Sequence, residues 1–243
     1  MRSLLFLAVA ALAGCQPQMF VRGSGTFVAE APTPVMRANV SVDISFFGIP
    51  LGGAQDVVFV LDHSGSMSGV SAGFAGSDVG MSKTGAVLTG LGAQLVNAKT
   101  HTLPTKMEAA KQELVHTLAA MPDGTRFMII FFDDDISAFT PYMATLDPAT
   151  RDEAIRFVQR IQPGDSTAAV PALRLAYKAG AARVVLLSDG LANTGGSGDD
   201  LLAEARGAMQ SGVRFDTVGL GIDQDGPLLS TLAAESGGLA IRR

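Results

Sequence analysis

Apolar residues fall in two rhythms along this chain. Residues 57–61, 127–132 and 184–187 are unbroken apolar runs. Strands buried on both faces of a parallel sheet read this way, whereas half-wet strands alternate. Residues 213–219 and 239–241 predict two further strands. Elsewhere the spacing changes to three and four. Met107, Ala110, Leu114, Leu118 and Met121 share one face of a helix predicted over 106–121. Ile155, Val158 and Ile161 line another, which Asp147 caps and Pro148 opens. Helices are also predicted from the loop at 163–167 to about 179, over 201–210 and over 227–235. Residues 136–142 predict an edge strand, since Pro141 suits an edge better than a centre. Strands and helices alternating in this order predict an α/β fold, a doubly wound and mostly parallel central sheet flanked by helices.

The chain ahead of this alternation is different. Val40, Val42, Ile44 and Phe46 alternate with Ser41, Asp43 and Ser45, which predicts one half-buried strand ended by the glycines of 48–53. Residues 39–53 are therefore expected to be an extra strand and linker, and 54–243 the main domain. Residues 15–38, with Pro17, Pro32 and Pro34 among glycines and serines, predict a tether. Residues 68–104 hold no clear period and are rich in Gly and Ser, so they are expected to be an insertion in the main domain. Arg2, the apolar stretch 4–12 and the small residues Ala13 and Gly14 have the build of a signal peptide over 1–14.

Composition narrows the function. A net charge of −5 gives no basic footprint for nucleic acid. Trp is absent and aromatics are 6%, which weakens any stacking of sugars or bases. Cys15 is the one cysteine, so no internal disulfide can form. Leu12-Ala13-Gly14-Cys15 resembles a bacterial lipobox. That resemblance implies a lipid on Cys15 and a place in the cell envelope, either outside the cytoplasmic membrane or at the outer membrane.

Candidate chemistry gathers at strand ends. The run 57–61 leads into Asp62-His63-Ser64-Gly65-Ser66, and the run 184–187 into Ser188-Asp189-Gly190. A third loop, Pro163-Gly164-Asp165-Ser166-Thr167, precedes a helix. In open α/β sheets ligands sit beyond the carboxyl ends of the strands. All three loops are expected on one rim, where carboxylates and hydroxyls make a donor set for a hard cation. Taken alone, Asp62 could merely cap its turn and Ser64 and Ser66 could satisfy loop backbone. The triplet Asp133-Asp134-Asp135 lacks the Gly and closing Glu of a calcium loop and is expected to be solvated. His63, His101 and His116 show no ligand spacing and are expected to be structural or on the surface.

Asp62, Ser64, Ser66, Thr167 and Asp189 resemble the metal-ion-dependent adhesion site of the von Willebrand factor type A domain, a likeness covering residues 54–243. The resemblance implies that Ser64, Ser66 and Thr167 ligate a divalent cation directly and that Asp62 and Asp189 act mostly through water. Mg²⁺ is the first expectation, with Mn²⁺ and Ca²⁺ also suited to oxygen donors. It further implies a protein partner that completes the cation's shell with an Asp or Glu carboxylate. Asp165 is a departure from the family pattern and is expected to point into solvent. The final helix of many members is not matched after 239–241, so signalling through it is not expected. The chain has no Ser-x-x-Lys, Gly-x-x-x-x-Gly-Lys or Gly-x-Gly-x-x-Gly, and no Lys or Arg is expected to flank the site, which argues against a phosphatase. A scaffold role in an envelope complex is the alternative.

Overall fold

A computed structural model describes residues 44–69, 104–190, 196–222 and 224–243. The signal peptide, Cys15, the tether, residues 39–43 of the expected extra strand, His101 and residues 70–103 of the expected insertion lie outside the described residues.

The three apolar runs become β3 (Val57–Asp62), β4 (Arg126–Phe132) and β7 (Arg183–Ser188), and the later strands are β8 (Arg214–Gly219) and β9 (Ala240–Arg242). Two short strands, β5 (Ile136–Ala138) and β6 (Ala144–Thr145), run antiparallel to β4. The sheet order is β5-β4-β3-β7-β8-β9, with β6 also paired to β4, and every neighbour from β4 to β9 is parallel. The expected edge strand stops at Ala138, three residues before Pro141.

Alternation hidden inside the apolar runs explains the layers. Val57, Phe59 and Leu61 face one side, with α1 (Lys106–Ala120) and α2 (Pro148–Arg160). Val58 and Val60 face the other, with α3 (Ala169–Lys178), α4 (Gly198–Met209) and α5 (Gly226–Ser236). Each side chain from Val57 to Leu61 is therefore apolar because each face is covered. Burial of one such large side chain contributes about 1.5–3 kcal/mol. Among the described residues no helix is long and apolar enough to cross a membrane.

Helix ends follow local chemistry. Asp147 accepts the Thr150 N–H at 2.7 Å, as its place before Pro148 predicts. At α1, Thr105 Oγ1 accepts the Glu108 N–H while Glu108 accepts the Thr105 N–H, a reciprocal cap. The start of α1 is thereby held to one residue, and that matters for Lys106 below.

The segment before β3 is a hairpin where one strand was expected. β1 (Ser45–Phe46) pairs antiparallel with β2 (Ile49–Pro50), Phe46 opposite Ile49. The turn residues Phe47 and Gly48 have φ of 51° and 88°. Two positive φ values suit a tight hairpin, but Phe is a poor residue for the first of them. Burial outweighs that strain: Phe46 is 0% and Phe47 4% exposed, their rings meet edge to face at 4.9 Å, and Glu113 on α1 accepts the Phe47 N–H at 2.7 Å. Phe46, Ile49 and Leu51 belong to the same apolar cluster as α1 and β3.

Phe46→Ala is expected to lower the unfolding free energy by about 3–5 kcal/mol, the usual cost of truncating a buried Phe. Urea denaturation measures this, and a change near zero would show that the hairpin is a detachable linker.

Candidate metal centre

β3 and β7 are parallel neighbours, so their carboxyl ends open on one rim. Asp62 closes β3, Ser188 closes β7 and Asp189 follows. Both carboxylates are interior, with Asp62 0% and Asp189 1% exposed. Beyond Asp62 the chain turns sharply. The Ser64 N–H donates to Asp62 Oδ1 at 2.9 Å, and Gly65–Ser68 forms one tight 3₁₀ turn. That turn brings the Ser64 and Ser66 hydroxyl oxygens to 3.1 Å. Ser66 then donates to Asp189 Oδ1 at 2.7 Å, and Ser188 donates to Asp62 Oδ2 at 2.8 Å. Hydrogen bonds thus join four of the sequence-predicted residues across the two strand ends. Asp62 does cap its turn, and the same carboxylate belongs to the cluster.

The third loop is laced to the first. Gly164 donates to the His63 carbonyl at 2.7 Å, and Gly65 donates to the Asp165 carbonyl at 3.2 Å. These bonds carry Thr167, 5% exposed, to the same rim just before α3. A Cβ on Gly164 would lie 1.7 Å from Asp133 Oδ2, so glycine is what allows the loop to pass. Asp165 itself is exposed, and its main chain makes the crossing bond.

The Asp133–Asp135 triplet departs from expectation in part, and the described histidines do not. Asp134 and Asp135 are exposed, but Asp133 is built in: its Oδ1 accepts the Asp135 N–H at 2.8 Å and its carbonyl accepts the Ala168 N–H at 2.8 Å. His63 is structural, 6% exposed, and its Nδ1 donates to the Gln162 carbonyl at 2.9 Å. His116 is exposed.

The larger departure is Lys106. Sequence placed no cation beside the motif, yet the Lys106 ammonium donates to Asp189 Oδ2 at 2.7 Å, with only 8% of the residue exposed. Ser188 was likewise not assigned, although it bonds Asp62. The remaining signal for Lys106 is its place as first residue of α1, directly after the cap Thr105.

Burial pushes the Asp62 carboxyl above its ordinary range, and the nearby Asp189 charge adds to this, against bonds from Ser64 and Ser188 that favour the charged form. Two interior carboxylates close enough to repel, ringed by hydroxyls, make an oxygen-only donor set, and that chemistry fits a hard divalent cation. Among the described residues no three His, Cys, Asp or Glu side chains cluster, so the neutral donors would have to be the hydroxyls.

Residues 96–241 match the sequence pattern of the von Willebrand factor type A domain. The chain belongs to that family. The matched span contains Thr167 and Asp189 and begins after Ser66. Solved structures agree on the fold. A von Willebrand factor type A protein from Catenulispora acidiphila is 20% identical with a TM-score of 0.56, over 78% of this chain and 39% of that one. An aerotolerance-related membrane protein from Bacteroides fragilis is 19% identical with a TM-score of 0.54, over 78% of this chain and 92% of that one. Proximal thread matrix protein 1 from the mussel byssus, with a zinc-occupied MIDAS motif, is 16% identical with a TM-score of 0.50, over 77% of this chain and 41% of that one. No curated protein matches the chain significantly.

Within this type A domain, a raised Asp62 has a definite sign. The unfolded chain releases its Asp62 proton at lower pH than the folded one, so in chelator stability is lost as pH rises from the unfolded value through the folded one. Asp62→Asn, which keeps an acceptor for Ser64, is expected to match wild type in acid and to become the more stable protein towards neutral pH. Unfolding curves in EDTA across that range test it; a difference constant with pH would contradict it.

Proposed function

We propose that this chain is a divalent-cation-dependent protein-binding module of the bacterial cell envelope, held to the membrane by a lipid on Cys15. Asp62, Ser64, Ser66, Thr167 and Asp189 would hold the cation, Mg²⁺ foremost, with Mn²⁺ or Ca²⁺ as substitutes. Once bound, the ion would supply a positive centre for one Asp or Glu carboxylate of a protein partner.

The observation that carries this reading is the hydrogen-bonded cluster at the ends of β3 and β7, in which two buried carboxylates face hydroxyls. Neutral hydroxyls as nearest ligands would leave the ion much of its charge, and that favours capture of an acid. The occupied motif of the byssus protein and the membrane description of the Bacteroides protein support the same reading by similarity of fold.

Titration calorimetry of the full chain with MgCl₂ tests the cation. Asp62→Ala is expected to weaken binding roughly 10–100-fold. A peptide with a single glutamate should be retained by the immobilised protein in Mg²⁺, released by EDTA and lost when that glutamate is replaced by glutamine. Equal Mg²⁺ affinity in wild type and Asp62→Ala would refute the site, and a partner held equally well in EDTA would make the domain a scaffold. Mass measurement of the mature N-terminus decides the anchor: an unmodified end, or cleavage away from Cys15, removes it.

A further inference from the structure

We infer that Lys106 is a built-in counter-ion that weakens the site's hold on its divalent cation and strengthens the loaded site's hold on a partner carboxylate. The inference rests on the cation reading given above and deepens it.

Lys106 is placed from three directions. Its backbone N–H donates to the Gly69 carbonyl at 2.9 Å, where the chain leaves the Asp62–Ser66 loop. Its ammonium donates to Asp189 Oδ2 at 2.7 Å, and that carboxylate side chain is 0% exposed. Its stem runs past Gly221, where a Cβ would lie 2.8 Å from Lys106 Cε and 3.0 Å from Nζ. Gly221 has a φ of +81°, so the β8–α5 loop both requires glycine and leaves the channel the lysine fills. A flexible, strongly hydrated side chain is thus held in the protein interior, and its partner is the one carboxylate that also accepts from Ser66.

Charge gives this placement a consequence. The hydrogen-bonded cluster contains two carboxylates and one ammonium. Without the lysine, a divalent cation would meet two negative charges and the loaded cluster would be neutral. With it, the loaded cluster keeps one surplus positive charge, which a single incoming carboxylate matches. The same ammonium repels the cation and occupies Asp189 Oδ2, so the cation binds less tightly. One residue therefore moves the two affinities in opposite directions, whereas a lysine that only props up the loop would move them together or not at all.

The test uses the full-length protein, Lys106→Met and Lys106→Gln, the second retaining a hydrogen-bond donor. Mn²⁺ binding is followed by water-proton relaxation, and acetate is then titrated onto the Mn²⁺-saturated proteins. Both variants are expected to bind Mn²⁺ about tenfold more tightly and acetate several-fold more weakly than wild type. In EDTA they are expected to melt earlier, because Asp189 loses its partner, and to gain more from added Mn²⁺. A variant that folds only with Mn²⁺ present also supports the inference. Mn²⁺ affinity unchanged or reduced in the folded variants, or acetate affinity unchanged, overturns it. Absence of Mn²⁺ binding by wild type and variants alike overturns the cation reading itself.

Discussion

Two negative charges, Asp62 and Asp189, are held out of water at the ends of adjacent parallel strands, and much of the surrounding structure answers to that. Isolated buried carboxylates are very costly. Here the cost is met by a backbone N–H from Ser64, hydroxyls from Ser66 and Ser188, and the Lys106 ammonium. The donors come from the turn after β3, the end of β7 and the start of α1, so the tight 3₁₀ turn after β3, the cap that begins α1 and the glycine at 221 all serve one electrostatic problem.

The opposite end of the sheet shows what a purely structural solution looks like. Asp216 on β8 is also 0% exposed, but it is answered by Arg183 at 2.6 Å, Arg214 at 3.1 Å and the Leu239 N–H at 2.8 Å. Two guanidiniums on one carboxylate leave no demand for a further cation. At the rim of Asp62 and Asp189 the proportion is reversed, with two carboxylates and one ammonium. Among the described residues the same sheet therefore carries a carboxylate matched by two guanidiniums and a carboxylate pair matched by one ammonium, and the latter is the pair on which the proposed cation site rests.

Much of this was legible in the sequence. The unbroken runs at 57–61, 127–132 and 184–187 announced strands covered on both faces, and topology alone then brought Asp62, Ser64, Ser66 and Asp189 to one rim. The hairpin was hidden because its turn opens with Phe47, a residue that no turn rule selects; packing against Phe46 and α1 holds it in place. Lys106 was hidden for a different reason. It lies 83 positions from Asp189, and a lysine at a helix start ordinarily points into water. Only the Gly221 channel, set by a third distant segment, turns it inward. Pattern reading recovers what period and strand ends dictate. It misses pairings fixed by the meeting of several loops.

The bond between the Gly69 carbonyl and the Lys106 N–H also bears on how the rim is closed. Residues that flank a long stretch of sequence are stitched together at the rim, so the domain is closed there whatever lies between them. The closure therefore rests on the two flanking residues themselves, and it ties the helix start that carries Lys106 directly to the loop that carries Ser66.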